Sequence, residues 1–304
     1  MSTTPASEFE RELRLLEPRL TALPDKPEET PAATLAALWH LAAGTRLSAA
    51  AAQGASLPSL DAAGRARLTE LIEQRLSGIP LAHITGRQTF MGLELLSEPG
   101  ALIPRRETEI LGRALWDKSD ELAASMPSLL AVDVCTGSGN LAVALASRHP
   151  AARVFAADLS PEACELARRN VQHLNLQDRV QVRVGDLLAP FNSPEFHGRV
   201  DLLSCNPPYI STARMAGMPT EIVGHEPALA FDGGALGVRI IQRLISEAPR
   251  YVKSGGWLLF EVGLGQGPAV QNRVSKTGKF DVVDTRTDEN GEIRVVVARL
   301  AAAH

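Results

Sequence analysis

The chain has 304 residues, 45% of them hydrophobic and 22% charged, the balance of an ordinary soluble globular protein long enough for two domains and a full core. A formal net charge of −4 excludes a global attraction to nucleic acid, and the basic pairs Arg105-Arg106 and Arg168-Arg169 read as solvated faces. The three cysteines, Cys135, Cys164 and Cys205, make neither a C-x-x-C pair nor a disulfide framework, which suits a reducing cytoplasm. No His/Cys/Asp cluster has the spacing of a metal site.

Residues 1–20 mix charged and apolar groups without the apolar core of a signal peptide. Residues 47–55 are Ala-rich but too short for a membrane span. The first 31 residues are polar and carry Pro24, Pro27 and Pro31, so the start is expected to fray. Apolar residues recur at helical spacing over 9–17, 34–43 and 61–76. Residues 1–86 therefore read as a helical domain, which has no motif of its own and is expected to serve recognition rather than chemistry, with Trp39 in its core and His83 a loop or core residue rather than a base. Residues 87–106 read as a β-hairpin linker. Residues 107–304 alternate strands and helices, the order of a doubly wound α/β sheet. Their last two strands, 280–283 and 293–297, form an antiparallel hairpin through a polar loop containing Asn290-Gly291.

The motifs lie in this third segment. The apolar run 129–134 predicts a strand, Cys135-Thr136-Gly137-Ser138-Gly139 a turn, and 141–146 a helix, the context that makes a glycine signature credible. Gly137 and Gly139 allow positive φ and close approach of a ligand to the backbone. The spacing departs from G-x-G-x-x-G, and Asp133 near the strand end would oppose a pyrophosphate while accepting from an ammonium. That pattern favours a cationic cofactor such as S-adenosylmethionine over NAD. The second strand ends at Asp158, about 20 residues past the glycines, where a ribose-binding carboxylate is expected. The third leads to Gly185-Asp186-Leu187. Three acids at three successive strand ends all belong to the carboxyl edge, where open α/β sheets bind ligands. A buried strand over 200–205 then runs into Asn206-Pro207-Pro208-Tyr209. Asn offers an acceptor and two donors, the prolines stiffen the loop and leave its carbonyls unpaired, and Tyr presents a flat ring. Such a turn suits a planar amine or amide nitrogen; its bland reading is a Pro-rich turn capped by Asn.

With these residues in view, the chain resembles the HemK-type protein glutamine methyltransferases from about Ile79 to about Gly267. Gly78 to Gly86 resembles the family's G-x-P-L-A-Y-I-T-G, with His83 for Tyr. Ile103-Pro104-Arg105-Arg106-Glu107-Thr108-Glu109 resembles I-P-R-P-E-T-E, with Arg106 for Pro. Phe90 to Leu95, Asp133 to Gly139, Asp158 to Pro161, Gly185 to Leu187, Asn206 to Ile210, Glu226 to Ala230 and Gly255 to Gly263 follow. Ile103 to Glu109 is similar to the branch that methylates the Gly-Gly-Gln glutamine of release factors. Asp133-Val134-Cys135, Met215, Met218 to Glu221 and His225-Glu226-Pro227 are similar to the branch that methylates a large-subunit ribosomal protein. After Asp232-Gly233-Gly234-Ala235, Leu236-Gly237-Val238 stands where both branches have Asp-Gly-Leu.

The resemblance implies a Rossmann-like class I methyltransferase fold, a mostly parallel seven-stranded sheet with a terminal antiparallel hairpin behind a small helical domain. It implies S-adenosylmethionine as cofactor, with Asp158 on the ribose, Asp186 on the adenine, Gly137 and Gly139 on the methionine part, and Asp133, Thr136, Leu159, Leu187 and Asn206 completing the set. Asn206, Pro207 and Tyr209 would be catalytic. Asn206, Pro207, Pro208, Tyr209 and Glu226 would meet the acceptor, Glu226 with a structural salt bridge as its other reading. The expected partner is a release factor or ribosomal protein in the cytoplasm, with no membrane and no stable nucleic-acid binding. Three alternatives stay open: an N-methyltransferase with a small-molecule or peptide acceptor, a DNA adenine methyltransferase, and a cofactor-binding scaffold without catalysis.

Overall fold

Four helices near the start of the chain follow a residue whose side-chain oxygen accepts a backbone N–H of the first turn. Thr4 precedes α1 (Pro5–Leu16), Thr30 α2 (Pro31–Ala42), Ser48 α3 (Ala49–Gln53) and Asp61 α4 (Ala62–Leu76). Proline begins α1 and α2, where its missing N–H costs nothing. The computed structural model describes residues 4–21, 25–215, 217, 220–234 and 236–302. Pro24, Met218, Pro219 and Ala235 lie outside the described residues.

The chain divides into two units. The first comprises the described residues up to Pro99, Ile103–Arg106 and 220–226. Its core centres on α2, where every residue from Ala33 to Ala42 is buried. Trp39 is fully buried, takes the ring of Phe9 edge-on at 5.7 Å, and donates its indole N–H to the Pro58 carbonyl at 2.8 Å. Helix α5 (Leu81–Thr85) stops at left-handed Gly86, and β1 (Arg87–Phe90) pairs antiparallel with β2 (Leu93–Leu96). Met91 and Gly92 between them both have positive φ, at 49° and 80°, as a two-residue primed turn requires. The hairpin expected as a linker is thus part of the first unit.

Residues 220–226, with α10 (Thr220–Val223), join the first unit from far along the chain. Buried ion pairs hold them there. Glu221 meets Lys26 and Arg75, each at 3.0 Å, and Glu226 meets Arg105 at 2.5 Å. Arg105 also pairs with Asp25 at 3.1 Å and is 10% exposed, so it is a buried cation and not the solvated face expected of it. His83 is a half-buried residue of α5 whose ring pKa burial and the Lys26 charge push down to about 4, leaving it neutral near pH 7.

The second unit holds Gly100–Leu102 and the remaining described residues from Glu107 on. It is built on β3 (Leu129–Val134), β4 (Ala152–Asp158), β5 (Val180–Val184), β6 (Val200–Cys205), β7 (Val252–Glu261), β8 (Phe280–Thr287) and β9 (Ile293–Leu300), in the order β5-β4-β3-β6-β7-β9-β8. All pairs are parallel except those of β9, which runs antiparallel to β7 and β8. This is the class I methyltransferase arrangement, and the strand order turns back between β3 and β6. The central strands read as continuous apolar runs because both faces are covered; every residue of β6 is buried. Helix α6 (Thr108–Ala123) packs on β7 and β9, α7 (Asn140–Arg148) on β4, α8 (Pro161–His173) on β5, and α12 (Gly267–Lys276) on β9. Short α9 (Thr212–Met215) and α11 (Arg239–Glu247) complete the unit. Among the described residues no helix is long and apolar enough to cross a membrane.

Candidate active site

Parallel pairing puts the two motif loops next to each other. Val134 at the end of β3 lies opposite Cys205 at the end of β6. The turn Cys135 to Gly139 and the turn Asn206 to Tyr209 therefore leave the sheet side by side, at the switch point.

The glycine turn is held from below and bare above. Cys135, Gly137 and Gly139 have φ of 55°, 54° and 82°. A Cβ on Gly139 would press to 3.1 Å on Ala167 of α8, whereas one on Gly137 would meet nothing within 4 Å. Gly139 thus lets α8 approach, and Gly137 opens backbone to a ligand. Asp158, at the end of β4, accepts the N–H of Gly137 at 2.8 Å and that of Ser160 at 3.0 Å, one on each oxygen. A carboxylate oxygen has a second lone pair, so both remain able to take a hydroxyl. Burial raises the Asp158 pKa against these N–H bonds. Leu159 beside it is 52% exposed, an apolar surface at the edge of the same loop.

Several sequence expectations are corrected. Asp133 lies within β3, is 1% exposed, and accepts from the Thr136 hydroxyl at 2.5 Å and the Ser204 hydroxyl at 2.6 Å. Its carboxylate braces the turn from the core instead of facing an ammonium. Burial, helped by the Asp158 charge, raises its pKa to about 6. Thr136 is buried with its hydroxyl committed to Asp133, so its side chain too is structural. Leu187 has φ 48° and its side chain is in the hydrophobic core, which leaves only its backbone to a ligand. Asp186 is not overturned: it is half-exposed, each of its oxygens meets Nη1 of Arg243, at 3.0 and 2.9 Å, and each keeps a lone pair for a ligand. Glu226 belongs to the first unit, where its buried carboxylate accepts from Arg105 and from the N–H of Ile103 at 2.9 Å. Its side chain has no exposure left for an acceptor, and the salt-bridge reading replaces the acceptor-binding one.

The Asn206 turn is braced on every side. Its Nδ2 donates to Thr108 Oγ1 at 3.0 Å, at the start of α6, which leaves Oδ1 for an incoming donor. Pro207 is buried and Pro208 half-buried. The Tyr209 hydroxyl donates to Glu261 Oε1 at 2.8 Å, and its carbonyl accepts from Gln266 Nε2 at 3.0 Å. Its ring lies so close to Gly263 that a Cβ there would come within 3.0 Å of it. The Ile210 N–H and carbonyl bond to Phe231 at 3.0 Å and Gly233 at 2.8 Å. Gly237, in the stretch that departs from the family pattern, is required where it stands: at φ 68° its Cβ would fall 2.2 Å from the Tyr209 carbonyl oxygen.

Thr108, Glu261 and Gln266 are site residues that the sequence alone does not single out. Glu261 ends β7 as Asp158 ends β4, so the signal was a further strand-end acid in the run of acids already singled out. It is 1% exposed, and burial with the nearby Glu107 charge raises its pKa to about 7, against contacts from Tyr209, Thr108 and Arg294. The Tyr209 pKa is driven well above its ordinary value by burial and by Glu261.

The residues present fit S-adenosylmethionine. Bare backbone at Gly137, spare lone pairs on Asp158 for a ribose diol and apolar Leu159 at the edge of the same loop suit a nucleoside cofactor of this kind.

Residues 131–222 match a methyltransferase-domain family. The chain is 37% identical to a release factor glutamine methyltransferase of Moorella thermoacetica, over 78% of this chain and 80% of that protein. It is 34% identical to the one of Bacillus subtilis, over 76% and 79%. A ribosomal protein uL3 glutamine methyltransferase of Bordetella pertussis is 37% identical over 68% of each. In fold it is similar to the hMettl16 catalytic domain, with TM-score 0.53 at 15% identity over 75% of this chain and 81% of that one. It is likewise similar to a human methyltransferase 10 domain containing protein, with TM-score 0.51 at 15% identity over 79% and 98%. Sheet order, loop geometry and these relatives agree, and the chain belongs to the family of protein glutamine methyltransferases.

Proposed function

We propose that the chain carries the methyl group of S-adenosylmethionine to the side-chain amide nitrogen of a glutamine in a translation protein of the cytoplasm, with a peptide-chain release factor as the acceptor. The observation that supports this most is the register of β3 and β6, which starts the Gly137 loop beside the Asn206 turn. A second reading, a large-subunit ribosomal protein as acceptor, draws on Cys135 at φ 55° in the glycine turn, the feature shared with that branch.

S-adenosylmethionine, when bound, supplies a methyl group already activated on a sulfonium. Asp158 would hold the ribose hydroxyls, the Gly137 backbone the methionine part, and Asp186 with the Leu187 backbone the adenine. Asn206 Oδ1 and the Pro207 carbonyl would accept the two N–H bonds of the glutamine amide. An amide nitrogen is a weak nucleophile because its lone pair is delocalised, so both acceptors act by turning that lone pair towards the methyl carbon. The Tyr209 ring, fixed by its hydroxyl and by Gly263, closes the site to water. The nitrogen becomes strongly acidic once methylated and loses its proton without a dedicated base.

The test incubates the chain with methyl-labelled S-adenosylmethionine and, separately, release factors, ribosomal protein uL3, adenine-containing DNA and small amides. Label on a glutamine of a release factor is the expected result, and label only on DNA or a small molecule would overturn it. Calorimetry on Asp158→Ala belongs to the same test. Losing charge-assisted hydrogen bonds of about 1.5–3 kcal/mol each should weaken cofactor binding at least tenfold. An unchanged Kd would make Asp158 a loop brace only.

A further inference from the structure

Three carbonyls follow Asn206 in its turn, and two of them are taken out of use. A Cβ on Gly233 would fall 2.6 Å from the Pro208 carbonyl oxygen, so backbone covers that oxygen. Gly237 covers the Tyr209 carbonyl oxygen in the same way, and Gln266 Nε2 donates to it at 3.0 Å. Among the described residues nothing donates to the Pro207 carbonyl. Gln266 is itself firmly placed. Its backbone N–H donates to the Gly263 carbonyl at 3.0 Å, across a turn whose third residue, Gly265, has φ 77°. Its own carbonyl accepts the Val270 N–H of α12 at 3.1 Å. The side chain turns back on the same glycine: Oε1 accepts the Gly263 N–H at 2.9 Å. Nε2 reaches the Tyr209 carbonyl and, at 3.4 Å, that of Gly237. An N–H only donates and a carbonyl only accepts, so this amide has one possible orientation. One side chain thus joins the loop after β7, the Asn206 turn and the loop through Gly237.

We infer that Gln266 is a positioning residue for methyl transfer: through the Tyr209 carbonyl it holds the Asn206 turn in the arrangement that leaves the Pro207 carbonyl, alone of the three, to the glutamine amide. The inference deepens the proposed function and rests on it for the roles of Asn206 Oδ1 and the Pro207 carbonyl. The lever is the Pro207-Pro208 pair. With φ fixed at both prolines, the backbone between Asn206 and Tyr209 has few dihedrals left, so a shift of Tyr209 passes to the Pro207 carbonyl instead of being absorbed. The Tyr209 hydroxyl, on Glu261 at 2.8 Å, anchors only the far end of the ring and does not replace the bond at the carbonyl.

The experiment uses the full chain with Gln266→Met, which keeps the length of the side chain and loses its three bonds, and with Gln266→Glu. A carboxylate sets an oxygen against the Tyr209 and Gly237 carbonyls where a donor stood. A carboxylic acid restores the donor, while its other oxygen still accepts from Gly263. The two carbonyls favour the protonated form, so this carboxyl titrates above the ordinary carboxylate range. Cofactor Kd, measured by calorimetry, should match the wild type in both variants and reports folding as well. Gln266→Met should lose about tenfold to 100-fold in kcat with acceptor KM little changed, the scale of a misplaced reacting group. Rates are taken relative to the wild type at each pH, which cancels the titration of shared groups such as Glu261. On that scale Gln266→Glu should be slow in alkali and recover as pH falls, and Gln266→Met should stay flat. The chain has two tyrosines, so carbonyl-labelled tyrosine gives two resonances, told apart by Tyr251→Phe. That of Tyr209 should be displaced in Gln266→Met, and in Gln266→Glu should return towards its wild-type position with the midpoint seen in kcat. Wild-type kcat in Gln266→Met, a loss confined to KM, a weakened cofactor Kd, or a Gln266→Glu rate that ignores pH would overturn the inference. So would a Tyr209 carbonyl resonance unmoved by Gln266→Met. That readout needs no acceptor, so it separates this failure from a wild-type chain that methylates no glutamine.

Discussion

At the scale of single residues, the acids divide by burial and not by sequence position. Asp133 and Asp158 stand alike at the ends of two strands in the sequence, yet the first is locked between two hydroxyls and the second retains lone pairs for a ligand. Periodicity cannot tell these apart, because the difference lies in Ser204, which comes from another strand. The Asp133 site also gives a pH signature. Its folded pKa is raised from about 3.8 to about 6, so the folded state holds the proton longer than the unfolded chain does. The stability this group confers is complete below about 3.8 and is lost as pH rises to about 6. Asp133→Asn does not undergo that loss. Its stability relative to wild type should climb between pH 4 and 6 and level off above, in urea midpoints taken at several pH values. A decline over the same range would mean that the ionised form is the favoured one.

At the scale of elements, the strands and long helices were legible and the partition was not. Capping residues and apolar spacing locate α4 and the strands closely, because local chemistry governs them. The 220–226 stretch could not be placed that way. It joins the first unit through Lys26, Arg75 and Arg105, whose contacts span more than a hundred residues of chain. The Glu226–Arg105 pair is the most buried of these, and a sequence shows only a Glu and an Arg. Glu226→Ala should destabilise the first unit by about 3 kcal/mol, since it strands a buried guanidinium and leaves the Ile103 N–H unpaired. Asp25 still offsets part of the Arg105 charge, which holds the loss at the lower end of the usual range. Denaturant unfolding measures it, and a change below about 0.5 kcal/mol would return Glu226 to the role of an acceptor contact.

At the scale of the whole molecule, the proposed chemistry belongs where two loops leave adjacent parallel strands, and neighbouring segments of the second unit bond to one of them. Gly237, Gly263, Gln266, Thr108 and Glu261 all touch the Asn206 turn, and although Thr108, Glu261 and Gly263 lie in motif-like stretches, nothing in those stretches shows that they meet this turn. The Asn206 to Tyr209 turn stands out in the sequence because its chemistry is local; its brace does not, because it comes from three separate segments, at 108, 237 and 261–266. The central claim is that Asn206 aligns the acceptor amide and does not merely bind it. Single-turnover methyl transfer by intact Asn206→Ala, with saturating cofactor and a full-length release factor, tests this directly. The rate should fall on the order of 100-fold or more while cofactor Kd stays at the wild-type value. A wild-type rate at saturating acceptor, with only KM raised, would contradict it.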